Sequence, residues 1–337
     1  MKTAKGLFPR LCDPEHLEKA ARNTVRGKRR RQDVAWFLFR REEELARLHA
    51  ELSSGTFQPS PLELVRIRDP KPRLISRVPI RDRVVHTALV SLMEPIFLRS
   101  LSPDAFACRP DYGTHRAVLR LWQLQRQHRF ALHLDIKSYF PSIDRGILRG
   151  LLARRIRDRP FLEIVDRILE SGACLYDRPD ARAAARLAED WPPPGRGLPI
   201  GSYTSQLFAA HVYLAAFDHW VKRELKAPGY LRYVDDLFLF ADRRRDLRRW
   251  RGEAAEWLAR ERGLLLKHPN ARILSRHGHL DALGYRIRRE GIEALPRALL
   301  RLRKRLAAEL HRTYRRSGRR RVDIERSIAS TAGIVLF

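Results

Sequence analysis

Three aspartates carry the residue types and the neighbours needed for phosphoryl chemistry. Asp235 and Asp236 adjoin between two short apolar segments, Leu231–Val234 and Leu237–Ala241, that read as a tight hairpin. Asp135 lies earlier, in a stretch where Leu132, Leu134 and Ile136 alternate with His133, Asp135 and Lys137, the pattern of a half-buried strand. An isolated Asp-Asp pair most often marks a solvated turn, because Asp suits turns and like charges repel when buried. A third carboxylate on a neighbouring strand changes that balance. Three carboxylates offer hard oxygen ligands for Mg²⁺, and bound cations remove the cost of clustering like charges. Two such ions roughly 4 Å apart serve nucleotidyl transfer by activating the attacking oxygen and stabilising the leaving one.

The surrounding elements follow from periodicity. Asp33 reads as an N-cap for a helix carrying Val34, Phe37, Leu38, Leu45, Leu48 and Leu52 and stopped by Gly55. An extended, proline-punctuated stretch from Phe57 to Val78 and a helix from about Asp82 to Phe97 come next. Asp144 caps a helix through Leu152, 180–196 reads as a loop, and 201–225 as one helix after a glycine turn. A helix over 246–262 leads to a strand pair near 264–266 and 282–287, and the tail from Pro296 is helical and basic. Alternating strands and helices over 129–290 predict a layered core of the α/β or α+β kind with a helical appendage.

Composition narrows the partner. The chain has 337 residues, room for two or three packed units, and 44% apolar residues rule out wholesale disorder. Apolar runs fall far short of a membrane span, and the first residues lack the apolar stretch of a secretory signal. Cys12, Cys108 and Cys174 fit no metal-ligand spacing, so a reduced, cytoplasmic setting without membrane association is expected. Lys and Arg number 68 against 39 acidic residues, a net charge of +29, which favours a polyanion. Only 10 of the 68 are Lys; guanidinium suits phosphate, and a GC-rich genome produces the same bias.

Five blocks then resemble one family in its own order. Tyr233-Val234-Asp235-Asp236 is similar to the Tyr-x-Asp-Asp signature of reverse transcriptases, and 133–140, His-Leu-Asp-Ile-Lys-Ser-Tyr-Phe, resembles their first catalytic-aspartate motif. Lys71-Pro72-Arg73-Leu74-Ile75 and Pro79-Ile80-Arg81-Asp82-Arg83 look like the fingers segment, and Leu283-Gly284-Tyr285 like the primer grip. The resemblance covers roughly residues 27 to 310 and implies an α+β right-hand polymerase, its antiparallel palm sheet packed on helices. Fingers would span 1–130 with part of 145–196, the palm 131–290, and a short basic thumb 291–337. Gly197-Leu198-Pro199-Ile200-Gly201-Ser202-Tyr203-Thr204-Ser205-Gln206 departs from the usual Gln-Gly-x-x-x-Ser-Pro at Ile200 and Gln206. In this it is similar to the reverse transcriptases of diversity-generating retroelements, as are Lys71–Ser76 and Ala107–His115. Such enzymes copy a template-repeat RNA with errors opposite adenine and work with a small basic helical accessory protein.

The resemblance also implies roles. Asp135, Asp235 and Asp236, with the Ile136 backbone carbonyl, would hold two Mg²⁺ ions, with Mn²⁺ as the alternative. Lys71 and Arg73 would contact the triphosphate of the deoxynucleotide, and Ile200 and Gly201 would also bind the nucleotide, Ile200 replacing a polar contact with a branched apolar one. Phe140 would exclude a 2′-hydroxyl; an ordinary buried aromatic is the competing reading. Template RNA and a DNA or RNA primer would meet Lys28, Arg29, Arg30, Arg81, Arg83, Gln206, Tyr233, Leu283, Gly284, Tyr285, Arg303 and Lys304. A solvated basic run is the competing reading for Lys28–Arg30. The family's late palm lysine falls at Asn270, leaving Lys267 or His268 as substitutes, and Phe208-Ala209-Ala210 lacks the usual Asn. Two rivals stand: a defence-associated or group II intron-like reverse transcriptase, and a catalytically silent RNA-binding subunit.

Overall fold

The computed structural model describes residues 3–67, 73–275, 277–300, 303–304 and 306–307; Lys71 and the tail beyond 307 lie outside the described residues. The strands are β1 (Glu63–Ile67), β2 (Arg73–Arg77), β3 (Phe130–Asp135), β4 (Gly229–Tyr233), β5 (Asp236–Ala241), β6 (Ile273–Ser275), β7 (Leu280–Ala282), β8 (Tyr285–Ile287) and β9 (Ile292–Ala294). The chain divides into two compact units, each assembled from three separated segments. One comprises the residues up to Ala105, Asp135–Trp220 and Glu253–His268; the other comprises Phe106–Leu134, Val221–Gly252 and the residues from Pro269.

The first unit is mainly helical. Its central helix, Ile80–Leu98, buries Val84, Val85, Ala88, Leu89, Leu92 and Met93, too wide an apolar surface for a helix with one wet face. The helix Pro14–Val25, capped by the Asp13 carboxylate, packs beside it, and the Thr24 and Thr87 hydroxyls bond across at 2.8 Å. The β1–β2 hairpin supplies the extended stretch expected around residues 57–78. Asp144 caps Arg145–Ala153 as read from the sequence, accepting from the Ile147 amide at 3.0 Å.

Three of the expected helix and loop assignments differ from the sequence reading, each for a local reason. The helix expected from Asp33 to Gly55 is two, Gln32–Phe39 and Arg41–Ser53, broken at Arg40 with φ −104° and ψ 22°. The apolar series skips a turn there, since Arg41 and Glu42 stand where a continuous stripe needs an apolar residue. Asp33 lies inside the first turn and pairs with Arg31 and Arg77 instead of capping. The region 180–196 is not all loop: alanines support a helix over Pro179–Ala185, stopped by Arg186 in the left-handed region. The segment 201–225 is interrupted by a π-turn, Phe208–Val212, where the Tyr213 amide bonds back to Phe208 and the Tyr139 hydroxyl takes the Ala209 carbonyl.

The second unit holds a four-stranded sheet of order β4-β5-β3-β6 and a three-stranded antiparallel sheet, β7-β8-β9. Helix Thr114–Gln127 lays Ala117, Val118, Leu121 and Leu124 in one core with Leu231, Phe238, Phe240, Tyr285 and Ile287. The strand pair expected from 264–266 and 282–287 is absent. Leu266 makes only a lone bridge to Ile136, β3 pairs with β6 instead, and Leu283-Gly284, at φ 54° and 96°, turns the chain between β7 and β8. No described helix is long and apolar enough to cross a membrane.

Two tests of the first unit follow from its packing. Gly201 has φ +110°, and a Cβ there would stand 2.7 Å from the Ser76 carbonyl oxygen. Gly201→Ala is expected to cost roughly 2–4 kcal/mol, read as a lower Tm. His86 lies buried between Ser202 and Thr204, and burial, aided by Arg83, pulls its pKa down to about 4. Between pH 6.5 and about 4 the unfolded chain therefore takes up a proton that the folded chain refuses. Stability is expected to fall as pH drops through that window, by on the order of 1 kcal/mol per pH unit. Urea titrations of the wild type and His86→Asn check this, since the substitution removes that share of the slope.

Candidate active site

In the second unit, Tyr233 pairs with Asp236 across the β4–β5 hairpin, leaving Val234-Asp235 as a two-residue turn. Val234 has φ 58°, a left-handed conformation that costs a β-branched residue about 1–3 kcal/mol and persists only when neighbours impose it. Those neighbours are visible. Arg232 is 1% exposed and its guanidinium donates to the Val234 carbonyl at 3.4 Å, while the Arg232 carbonyl accepts from the Phe106 amide. The Tyr233 hydroxyl meets Thr114 Oγ1 at 2.9 Å. Beyond the turn, Asp236 Oδ1 accepts from His133 Nε2 at 2.7 Å, and the His133 ring stacks on Phe238 at 4.5 Å. At the far end of the same strands the Arg129 amide donates to Asp242, so β3 and β5 run antiparallel and β3 heads toward the turn. Its last residue is Asp135, two positions beyond His133 and on the same face.

In the first unit, Asp135 is held by residues 265–267. Lys267 Nζ lies 2.8 Å from Asp135 Oδ2, its amide donates to the Asp135 carbonyl, and the Lys137 amide donates to Leu265. Ile136 faces Leu266 in this bridge, but the bridging bonds come from its neighbours, so the Ile136 carbonyl is turned away from them. Lys267, not Asn270 or His268, is therefore the cation beside this aspartate. Among the described residues no three Asp, Glu, His or Cys side chains gather closely enough to hold an ion on their own. Asp135 and Asp236 each rest on a nitrogen group instead, Lys267 and His133 respectively. Each of these carboxylates offers hard oxygen donors of the kind Mg²⁺ prefers, and on Asp135 one such oxygen is paired with the Lys267 ammonium.

Residues expected to meet the nucleotide are joined by backbone bonds within the first unit. The Phe140 carbonyl accepts from the Leu198 amide at 2.9 Å, and the Ile200 carbonyl from the Ser76 amide at 2.7 Å. Phe140 is half-buried, whereas its neighbour Tyr139 is the core aromatic; Arg73 is exposed at the start of β2. A cavity of about 730 Å³ brings together Lys28, Arg83, Gly201 and Gln206 along with Ile75, Ser76, Arg77 and Tyr203. Burial lowers the Arg83 pKa, and Arg83 Nε donates to the Val78 carbonyl.

Other expected contacts stand elsewhere. Arg29 and Arg30 lie on an exposed loop and do not line this cavity. Arg81 is committed to Glu44, Glu51 and Asp82 and lies over the Phe57 ring, a network that ties helices together. Tyr285 is a core residue at 1% exposure, with its pKa raised by burial; Leu283 and Gly284 form the turn before it. Arg303 and Lys304 are exposed on helical residues. Sequence reasoning passed over His133, whose alternation with Asp135 was the available signal. It also passed over Arg232, because nothing local marks an arginine in a strand as buried.

Comparison with known proteins gives these features a context. Residues 67–287 match the family described as reverse transcriptase (RNA-dependent DNA polymerase). The chain is similar to protein YkfC of Escherichia coli (strain K12), 28% identical over 225 residues that cover 63% of this chain and 55% of that protein. It is also similar to the group II intron-encoded protein LtrA of Lactococcus lactis subsp. cremoris, 24% identical over 185 residues, 53% of this chain and 28% of that protein. The chain thus spans about half, or less, of the curated relatives it matches. Among solved structures, the apo telomerase of Candida tropicalis truncated from its C-terminal domain superposes with a TM-score of 0.50 at 10% identity, covering 71% of this chain and 55% of that one. That likeness supports the α+β right-hand fold. With the family matched across most of the described core, the chain belongs to the reverse transcriptase (RNA-dependent DNA polymerase) family.

Proposed function

We propose that this chain is an RNA-directed DNA polymerase that adds deoxynucleotides to a primer 3′-hydroxyl with release of pyrophosphate. The observation that carries the reading is the sheet order: β3, closing on Asp135, lies beside β5, which opens on Asp236 after the Val234-Asp235 turn. Asp135, Asp235 and Asp236, with the Ile136 carbonyl, would hold two Mg²⁺ ions. When bound, these ions supply Lewis acidity to the attacking 3′-oxygen and to the leaving pyrophosphate. The remaining work falls to side chains. Arg73 would bind the triphosphate together with Lys71, and Lys267 would offer positive charge to the departing pyrophosphate. Phe140 would close the space that a 2′-hydroxyl needs. The cavity lined by Lys28, Arg83 and Gln206 suits a template strand, whose phosphates require positive charge and whose unstacked bases tolerate apolar walls. Leu283-Gly284 would abut the primer, and Arg303 and Lys304 would follow the duplex backbone. Fingers, palm and thumb would then correspond to 1–130 with part of 145–196, 131–290 and 291–337.

The finer reading is error-prone copying of a template-repeat RNA in a diversity-generating retroelement, with a small basic helical accessory protein as partner. Its support is the branched, apolar Ile200 beside Gly201 in place of the polar residue usual in relatives, and Gln206 in place of proline. An apolar side chain there withdraws a hydrogen bond from the incoming nucleotide and relaxes the geometric check on pairing.

Two measurements test these levels separately. Primer extension on an RNA template with Mg²⁺ and deoxynucleotides should succeed for the wild type and drop by at least about 10³-fold in Asp235→Ala. Full extension by that variant refutes the polymerase assignment. Sequencing the products should show Ile200→Gln lowering misincorporation opposite adenine by roughly tenfold, about 1.4 kcal/mol of discrimination. An unchanged error spectrum removes Ile200 from the account and leaves the polymerase reading intact.

A further inference from the structure

The His133 ring touches both a proposed metal ligand and the core beneath it. Asp236 and Phe238, two apart on β5, share a face, and His133 reaches across from β3 to both. Its Nε2 lies 2.7 Å from Asp236 Oδ1, and its ring stacks on Phe238 with centroids 4.5 Å apart and planes 17° apart. An ionised carboxylate only accepts hydrogen bonds, so His133 is the donor and carries its proton on Nε2. Phe238 is 1% exposed and locked in the core with Leu121, Leu231 and Phe240, so the imidazole plane is fixed from below. The bond to Oδ1 thereby sets the rotation of the Asp236 carboxylate and leaves Oδ2 as the oxygen to be presented to a cation.

We propose that His133 is a positioning residue whose Nε2 donor pre-orients Asp236 for metal binding. This rests on the reading of Asp236 as a metal ligand. An outer partner that orients a ligand typically governs metal affinity by about 10- to 100-fold. A carboxylate free to rotate has its side-chain rotation to lose on binding, and an oriented one has already lost it.

The test is Mn²⁺ titrated into the full chain and followed by electron paramagnetic resonance, with the Mg²⁺ dependence of primer extension alongside. His133→Leu, which removes the donor, should weaken Mn²⁺ binding about tenfold or more and raise the half-saturating Mg²⁺ concentration to match. His133→Gln places an amide donor near the position of Nε2 and should stay within about threefold of wild type. Should His133→Leu not fold, His133→Asn, whose amide is too short to reach, takes its place with the same expectation. Wild-type Mn²⁺ affinity in a folded donor-less variant overturns the proposal. So does equal weakening in His133→Gln and His133→Leu, which would assign the residue to packing on Phe238. If Asp235→Ala binds Mn²⁺ as the wild type does, the metal-site reading itself fails, and that outcome is distinguishable from the other two.

Discussion

Carboxylates answered one by one, each by its own nitrogen partner, are the constraint on which this structure turns. An aspartate in a partly buried setting needs a counter-charge or a hydrogen-bond donor. Asp135 finds Lys267, whose ammonium and backbone amide both bond to it, and Asp236 finds His133. These partnerships offset the charge and satisfy the acceptors of each carboxylate. The Lys267 amide bond to Asp135 is also half of the single bridge that joins residues 265–267 to residues 135–137.

The hairpin that carries Asp235 and Asp236 is costly by itself, since a valine in the left-handed region is disfavoured. Its surroundings determine it from both flanks. Arg232 and Tyr233 are anchored to Val234 and Thr114, and the strand below is embedded in the Phe238 and Phe240 core against helix Thr114–Gln127. A fully buried arginine is expensive unless its donors are used. Its placement next to the turn ties that expense to the geometry of the carboxylates.

In the first unit, positions far apart in sequence are joined through main-chain bonds. Ser76 bonds to Ile200 and Leu198 to Phe140, and Gly201 lets the 197–206 segment lie against β2 at a distance no Cβ permits. Backbone stitching of this kind makes Phe140 and Ile200 rigid features of the scaffold. The cavity that gathers Lys28, Arg83 and Gln206 shares Ile75, Ser76 and Gly201 with the stitched segments, so those contacts and that cavity depend on one another.

Much of this was determined by local sequence alone. The alternation around Asp135, the hairpin around Asp235 and the Asp144 cap depend on period-two patterning and on short-range hydrogen bonds, which a sequence states directly. The break at Arg40 was also there to be read, in the missing apolar turn. What only the tertiary structure decided has a common physical cause: contacts between segments remote in the chain. Lys267 rather than His268 meets Asp135 because residues 265–267 bridge to residues 135–137, a pairing that no spacing reveals. Tyr285 entered the core and Arg81 an ion network because burial and counter-charge come from other elements, such as helix Thr114–Gln127 for one and Glu44 with Glu51 for the other. The sequence determined which residues could do chemistry; packing between distant strands decided which partners hold them.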